Sequence, residues 1–129
     1  MDYKNYFIKY SKSISNLLEE VDHALINQSV ELIKKKIASN NTIFIVGNGG
    51  SSSIASHVSV DFIKSANIKS STFNNANLIT CYANDYGYEN WVKEAIKTYC
   101  DVKDLLILIS SSGCSKNIVN AAKHCKKNN

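Results

Sequence analysis

The apolar run Ile43-Phe44-Ile45-Val46 stops at Gly47-Asn48-Gly49-Gly50, and Ser51-Ser52-Ser53 then lead into a helical pattern. A β-branched, aromatic run bounded by glycine reads as a buried strand. Glycines allow the backbone to come close to a ligand, and a helix start presents unpaired N–H donors and the positive end of its dipole. Such a turn is suited to an anion, above all a phosphate. It is not a P-loop, because no Gly-Lys-[Ser/Thr] follows, and Ser52 stands where the third glycine of a dinucleotide-binding fingerprint belongs. Taken alone, the same stretch also reads as an ordinary strand-to-helix turn.

The device occurs twice. Leu105-Leu106-Ile107-Leu108-Ile109 is a second buried-type strand; it runs into Ser110-Ser111-Ser112-Gly113-Cys114-Ser115-Lys116-Asn117, and a helical pattern with Ile118, Val119, Ala121 and Ala122 follows. In an open parallel sheet two such loops become neighbours where the strand order reverses, and ligands bind there. Backbone N–H groups and hydroxyls from both loops could then hold one phosphate without an arginine. The sequence contains neither arginine nor proline.

Residues 3–38 read as helix, interrupted around Asn27-Gln28-Ser29, with an apolar face that must pack on the sheet or on another copy of the chain. The pattern then predicts a strand over 42–47 and a helix over 52–64. A weaker strand is expected near Ser71-Thr72-Phe73 and a short helix from Leu78 to Ala83. A turn at Asn84-Asp85-Tyr86-Gly87 and an amphipathic helix from Tyr88 to Cys100 precede the strand over 105–109 and the last helix. Strands alternating with helices imply a parallel α/β sheet. Doubly wound sheets commonly have about five strands or more, so three strands and an ending in Lys126-Lys127-Asn128-Asn129 predict that further strands belong to the fold.

The net charge of +4 does not point to a nucleic acid. Lys34-Lys35-Lys36 and Lys126-Lys127 lie at the ends of helical patterns, where cations complement the dipole. Cys81, Cys100, Cys114 and Cys125 form no C-x-x-C pair, so neither a zinc ribbon nor a redox motif is indicated, and reduced thiols are expected. The N-terminal residues lack the apolar block of a signal peptide, and no stretch is apolar enough to cross a membrane. The expectation is a cytoplasmic protein.

Three motifs in order, Val46-Gly47-Asn48-Gly49-Gly50-Ser51 with Ala55 and His57, Ala83-Asn84-Asp85-Tyr86-Gly87, and Ser110 through Asn117, resemble the phosphoheptose isomerases of the sugar-isomerase (SIS) superfamily. The resemblance covers the whole chain. It implies a flavodoxin-like αβα sandwich with only the first three strands present, preceded by N-terminal helices. Residues 1–129 would be a single SIS domain, with leading helices over 1–40 and the sugar-phosphate-binding portion over 41–129. It further implies a homotetramer and a zinc-dependent isomerisation of sedoheptulose 7-phosphate to an aldose heptose phosphate. That product feeds bacterial surface polysaccharide such as lipopolysaccharide or capsule.

By the same resemblance, Asn48, Gly49, Gly50 and Ser51 contact substrate, Asn84 and Asp85 reach the sugar, and Ser110, Ser111, Ser112 and Ser115 hold the phosphate. His57 matches a zinc ligand, and Asp61 falls where the family has a glutamate acting as ligand and base. His57 and Asp61 are i and i+4, so both project from one helix face, an arrangement that also suits an ordinary surface pair. The chemistry fits these types: proton removal next to a carbonyl needs a carboxylate or histidine, and a divalent metal stabilises the resulting oxyanion. Asp is one methylene shorter than Glu. Ile54 and Cys114 also replace residues that are usually polar in the family.

The family's remaining ligands, a Gln and a His on a C-terminal helix, have no counterpart here, and His23 and His124 read as exposed surface histidines. The chain is therefore expected to be C-terminally truncated relative to the family, and two protein ligands fall short of the three of a catalytic zinc. Two function classes follow: a phosphoheptose isomerase-type enzyme, inactive as this short chain alone, or a non-catalytic sugar-phosphate-binding module, either a regulatory SIS domain or a partner of a complete paralogue.

Overall fold

A computed structural model describes residues 2–128 of the chain. The chain divides into two compact units, one ending at Leu32 and the other beginning at Ile33.

The first unit holds helix α1 (Tyr3–Glu19) and the start of α2 (His23–Ala38). Asp2 caps α1, its carboxylate accepting from the Asn5 N–H at 3.2 Å. The break between the helices falls at 20–22, not at the expected 27–29. Asp22 explains the shift, because its carboxylate accepts from the N–H groups of Ala24 (2.9 Å) and Leu25 (3.1 Å), which starts a new helix there. Ser29 does not interrupt α2; its hydroxyl donates to the Leu25 carbonyl at 2.9 Å.

The second unit is a three-stranded sheet flanked by helices. Its elements are β1 (Ile43–Gly47), α3 (Gly50–Ala66), β2 (Ser70–Ser71), α4 (Ala76–Tyr86), α5 (Trp91–Tyr99), β3 (Leu105–Ile109) and α6 (Lys116–Asn128). The order is β2-β1-β3 and both pairings are parallel, as the alternating pattern requires. β1 and β3 run level with each other, from Ile43 opposite Leu105 to Gly47 opposite Ile109.

The period-two alternation of strands sorts the core into two layers. Phe44 and Val46 point to one face, where they meet Phe73, Trp91, Val92, Ala95, Ile118 and Ala121 of the chain over 73–121. Ile43 and Ile45 point to the other, where Ala55, Val58 and Phe62 of α3 cover them. This is the αβα sandwich.

Three local expectations shift. The second strand is only Ser70–Ser71, upstream of the apolar Phe73, which instead stacks on Phe44 with ring centroids 5.0 Å apart. Ser70 pairs with Ile43 through the backbone, where the Ile43 N–H donates to the Lys69 carbonyl at 2.9 Å, and the Ser70 hydroxyl adds a bond to the Ile43 carbonyl at 2.9 Å. α3 starts at Gly50 rather than at residue 52, and α4 is longer than expected, from Ala76 through Tyr86. Asn75 sets the start of α4 by capping it, and Gly87, at φ +80°, ends it.

Candidate functional site

The order β2-β1-β3 puts a crossover on each side of β1, so the C-terminal ends of β1 and β3 form the switch point of the sheet. Both serine loops start there, at the level register of Gly47 and Ile109.

The first loop is shaped by its glycines. A Cβ on Gly47 would lie 2.5 Å from the Ser51 carbonyl oxygen and 2.7 Å from the Ser51 Cβ, so only glycine lets α3 start this close to the strand end. Gly49 has φ +52°, which glycine adopts without strain. The N–H of Ser51 donates to the Asn48 carbonyl (3.0 Å) and that of Ser52 to the Gly49 carbonyl (3.0 Å). The helix start thus uses donors that the sequence left open to a ligand. The exposed Gly49–Gly50 backbone remains approachable, with open space where side chains would stand. Asn74 braces the strand end, its Nδ2 donating to the Gly47 carbonyl at 2.9 Å.

The second loop is shaped by side chains. Ser110 Oγ accepts from the Gly113 N–H and Ser112 Oγ from the Cys114 N–H, both at 3.2 Å. Each hydroxyl keeps its O–H donor, the group an anion needs. Ser111 and Ser112 are exposed, while Ser110 and Ser115 are half-buried. The Ser115 carbonyl accepts from the Val119 N–H at 2.9 Å, opening α6.

The two loops touch. Asn48 Nδ2 donates to Asn117 Oδ1 at 2.9 Å, and Asn117 Nδ2 donates to Asn48 Oδ1 at 2.8 Å. The Tyr88 hydroxyl donates to the same Asn48 oxygen at 3.2 Å. Neither Asn117 nor Tyr88 was singled out from the sequence as a site residue. The available signal was a polar side chain one position before Ile118 in the apolar pattern of α6.

Asn84 and Asp85 sit on the last turn of α4 rather than in a turn, exposed, with Asn84 Nδ2 donating to Asp85 Oδ1 at 2.9 Å. On α3, His57 Nε2 stands 3.4 Å from Asp61 Oδ2, both side chains largely exposed, so the i, i+4 spacing does bring the two donors together. Among the described residues, no three or more His, Cys, Asp or Glu side chains are gathered where a metal could sit. The pair supplies two donors where a catalytic zinc needs three, so the described residues do not by themselves fit that metal. His23 is exposed; His124 is half-buried rather than exposed, and Asn128 Nδ2 donates to its carbonyl at 2.7 Å.

Cys100 and Cys125 are held as neutral thiols. Burial, helped by Asp104, pushes Cys100 up to about 12, and burial also raises Cys125, so neither forms a thiolate near neutral pH. All four cysteines are free.

The SIS domain family profile matches residues 6–129. A phosphoheptose isomerase of Helicobacter pylori strain 26695 is 32% identical over 129 residues, covering 95% of this chain and 67% of the relative. Phosphoheptose isomerase of strain P12 is 31% identical, with 93% and 65% covered, and phosphoheptose isomerase 2 of Campylobacter jejuni is 36% identical, with 78% and 53% covered. The chain thus spans between about half and two thirds of the length of these curated relatives. The structure of phosphoheptose isomerase GmhA from Neisseria gonorrhoeae superposes on 98% of this chain with a TM-score of 0.86 at 22% identity, covering 70% of that protein. The fold is therefore the α/β fold of that structure, and the chain belongs to the SIS domain family, beside the phosphoheptose isomerases.

Proposed function

We propose that this chain is the sugar-phosphate-binding part of a phosphoheptose isomerase that interconverts sedoheptulose 7-phosphate and an aldose heptose phosphate for bacterial surface-polysaccharide synthesis. The observation that carries the reading is the meeting of two strand–serine loop–helix units at one switch point, joined by Asn48 and Asn117, in a chain whose relatives are named phosphoheptose isomerases.

In this reading residues 1–129 work as one SIS domain, with leading helices over 1–40 and the sugar-phosphate-binding portion over 41–129. Ser110, Ser111, Ser112 and Ser115 hold the phosphate through hydroxyl donors, and Asn48, Gly49, Gly50 and Ser51 contact the substrate from the first loop. Asn84 and Asp85 reach the sugar. Ketose–aldose interconversion removes a proton from the carbon beside the carbonyl and returns one to the former carbonyl carbon. Asp61 is the base in this chain, with the His57 imidazole 3.4 Å from its carboxylate. Zinc, if bound, would sit at His57 and Asp61, the two donors that this chain brings together.

The working form is a cytoplasmic homotetramer. Among the described residues no helix is long and apolar enough to cross a membrane. One observation supports the assembly. No described residue of α1 or α2 is buried, and Tyr3, Phe7, Leu17 and Leu18 are each 64–66% exposed, which a second copy would cover.

A thermal-shift series tests the binding half. Sedoheptulose 7-phosphate and inorganic phosphate should raise Tm, and the double variant Ser51→Ala, Ser112→Ala should abolish the shift. Equal stabilisation by unphosphorylated sugars would refute it. For the catalytic half, conversion of sedoheptulose 7-phosphate is assayed with the chain alone and with the C-terminal segment of a longer relative added. One base and two metal donors predict little turnover alone and recovery on complementation. Binding without turnover in either assay would favour a non-catalytic module.

A further inference from the structure

Asn117 is a buried polar side chain, 2% exposed, in the first turn of an otherwise apolar helix face. A buried amide is costly unless its donors and acceptor are met. Its acceptor and one of its two N–H donors are met across a separation of 69 residues by Asn48, in a closed pair of 2.8 and 2.9 Å. Two amides that each give one N–H and accept one cannot rotate independently without breaking both bonds.

The hydrogen-bond inventory of Asn48 then follows. A carbonyl oxygen has two acceptor positions and an amide nitrogen two donors. Both acceptor positions of Asn48 Oδ1 are taken, one by Asn117 Nδ2 and one by the Tyr88 hydroxyl. One Nδ2 proton goes to Asn117 Oδ1. The group left over is a single N–H.

We propose that Asn117 is a positioning residue which, with Tyr88, holds Asn48 so that it offers the ligand one N–H donor and no acceptor. The ligand atom at Asn48 is therefore an acceptor oxygen, a carbonyl or the lone pair of a hydroxyl, and a group that can only donate is disfavoured there. The assignment rests on the reading of this switch point as a sugar-phosphate site. It adds the polarity of one contact and the two residues that set it. The closed pair ties the two loops together through the chain's own side chains, and an Asn48 amide held in this way leaves less ordering for a ligand to induce.

The first measurement needs no ligand. In protein labelled with ¹⁵N, one Nδ2 proton of Asn48 should be protected from solvent exchange and the other open. Asn117→Asp, which keeps the shape but removes the donor to Asn48 Oδ1, should change that signal. Two protected protons, or two open ones, would overturn the assigned polarity. The second measurement is affinity for sedoheptulose 7-phosphate. Asn117→Asp and Tyr88→Phe should each weaken binding on the order of fivefold, the size of one net hydrogen bond. In an Asn48→Ala background both effects should vanish, which a merely structural role would not produce. Persistence of both losses in that background would refute the proposal. Should Asn117→Asp fail to fold, Tyr88→Phe, at an exposed position, carries the same test. If the unsubstituted protein binds no sugar phosphate, the functional reading fails and the proton pattern alone decides the polarity of Asn48.

Discussion

The two strand–loop–helix units, 43–66 and 105–128, have the same plan in sequence and differ in what holds them. All five residues of β1 are buried, whereas all five of β3 are only partly so, although Leu105-Leu106-Ile107-Leu108-Ile109 is the more uniformly apolar run. Composition cannot explain this. β1 is paired on both edges, and β3 pairs with β1 alone among the described strands. The loops differ too. The first is set by backbone geometry, with Gly47 against Ser51 and Gly49 at positive φ; the second is set by Ser110 and Ser112 hydroxyls bonded to loop N–H groups. Place in the sheet decides burial, and the kind of bracing decides which substitutions a loop can take.

The sharpest way to break this comparison is to cut the same side chain from facing positions. Ile45 and Ile107 are register partners on the same face, one 1% exposed and the other half-buried. Ile45→Ala should cost about 2–5 kcal/mol, the range for a fully buried site, because transfer and cavity terms both apply. Ile107→Ala should cost clearly less, since a partly open site leaves no closed cavity. Urea unfolding of the two variants gives the answer. Equal losses would mean that β3 is as enclosed in solution as β1.

The next contrast is between the loops. Gly47→Ala forces a methyl into the Ser51 backbone, so the first turn of α3 must move; overpacking of this kind costs about 1–3 kcal/mol. The phosphate-dependent rise in Tm should disappear with it. Gly50→Ala meets open space and should leave stability nearly unchanged. In the second loop Ser112→Ala removes one exposed hydrogen bond, about 1 kcal/mol or less, yet it should weaken phosphate binding. If Ser112→Ala destabilises the fold as much as Gly47→Ala does, the distinction between backbone and side-chain bracing is wrong.

Much of this was legible before the structure. The apolar runs fixed β1 and β3, the alternation of elements implied parallel pairing, and repetition of the Ser/Gly loop placed both loops at one switch point. Less legible were features set by single polar side chains. Asp22 moves the helix break by capping α2, a contest between local signals that periodicity alone does not rank. Ser70 braces the two-residue β2 with a hydroxyl bond to the Ile43 carbonyl, whereas Phe73, the more strand-like residue, is drawn into the aromatic core instead. The Asn48–Asn117 pair spans 69 residues, and nothing in local sequence reveals an amide's partner at that distance.

The smallest effect concerns the helices that follow the loops. α3 carries a donor pair, His57 and Asp61, 3.4 Å apart, while α6 carries His124 and no carboxylate. If zinc prefers one unit, it should prefer the first, and weakly, because two protein donors leave the rest of the shell to water. A ligand stabilises a fold by RT ln(1 + [L]/Kd), so free zinc equal to its Kd adds only about 0.4 kcal/mol. Calorimetric titration should show weak zinc uptake that His57→Ala and Asp61→Asn each abolish and His124→Ala leaves intact. Protein purified without chelator should then hold less than one equivalent. A full, tightly held equivalent that survives His57→Ala would place the metal elsewhere, with the cysteines as the next donors to replace.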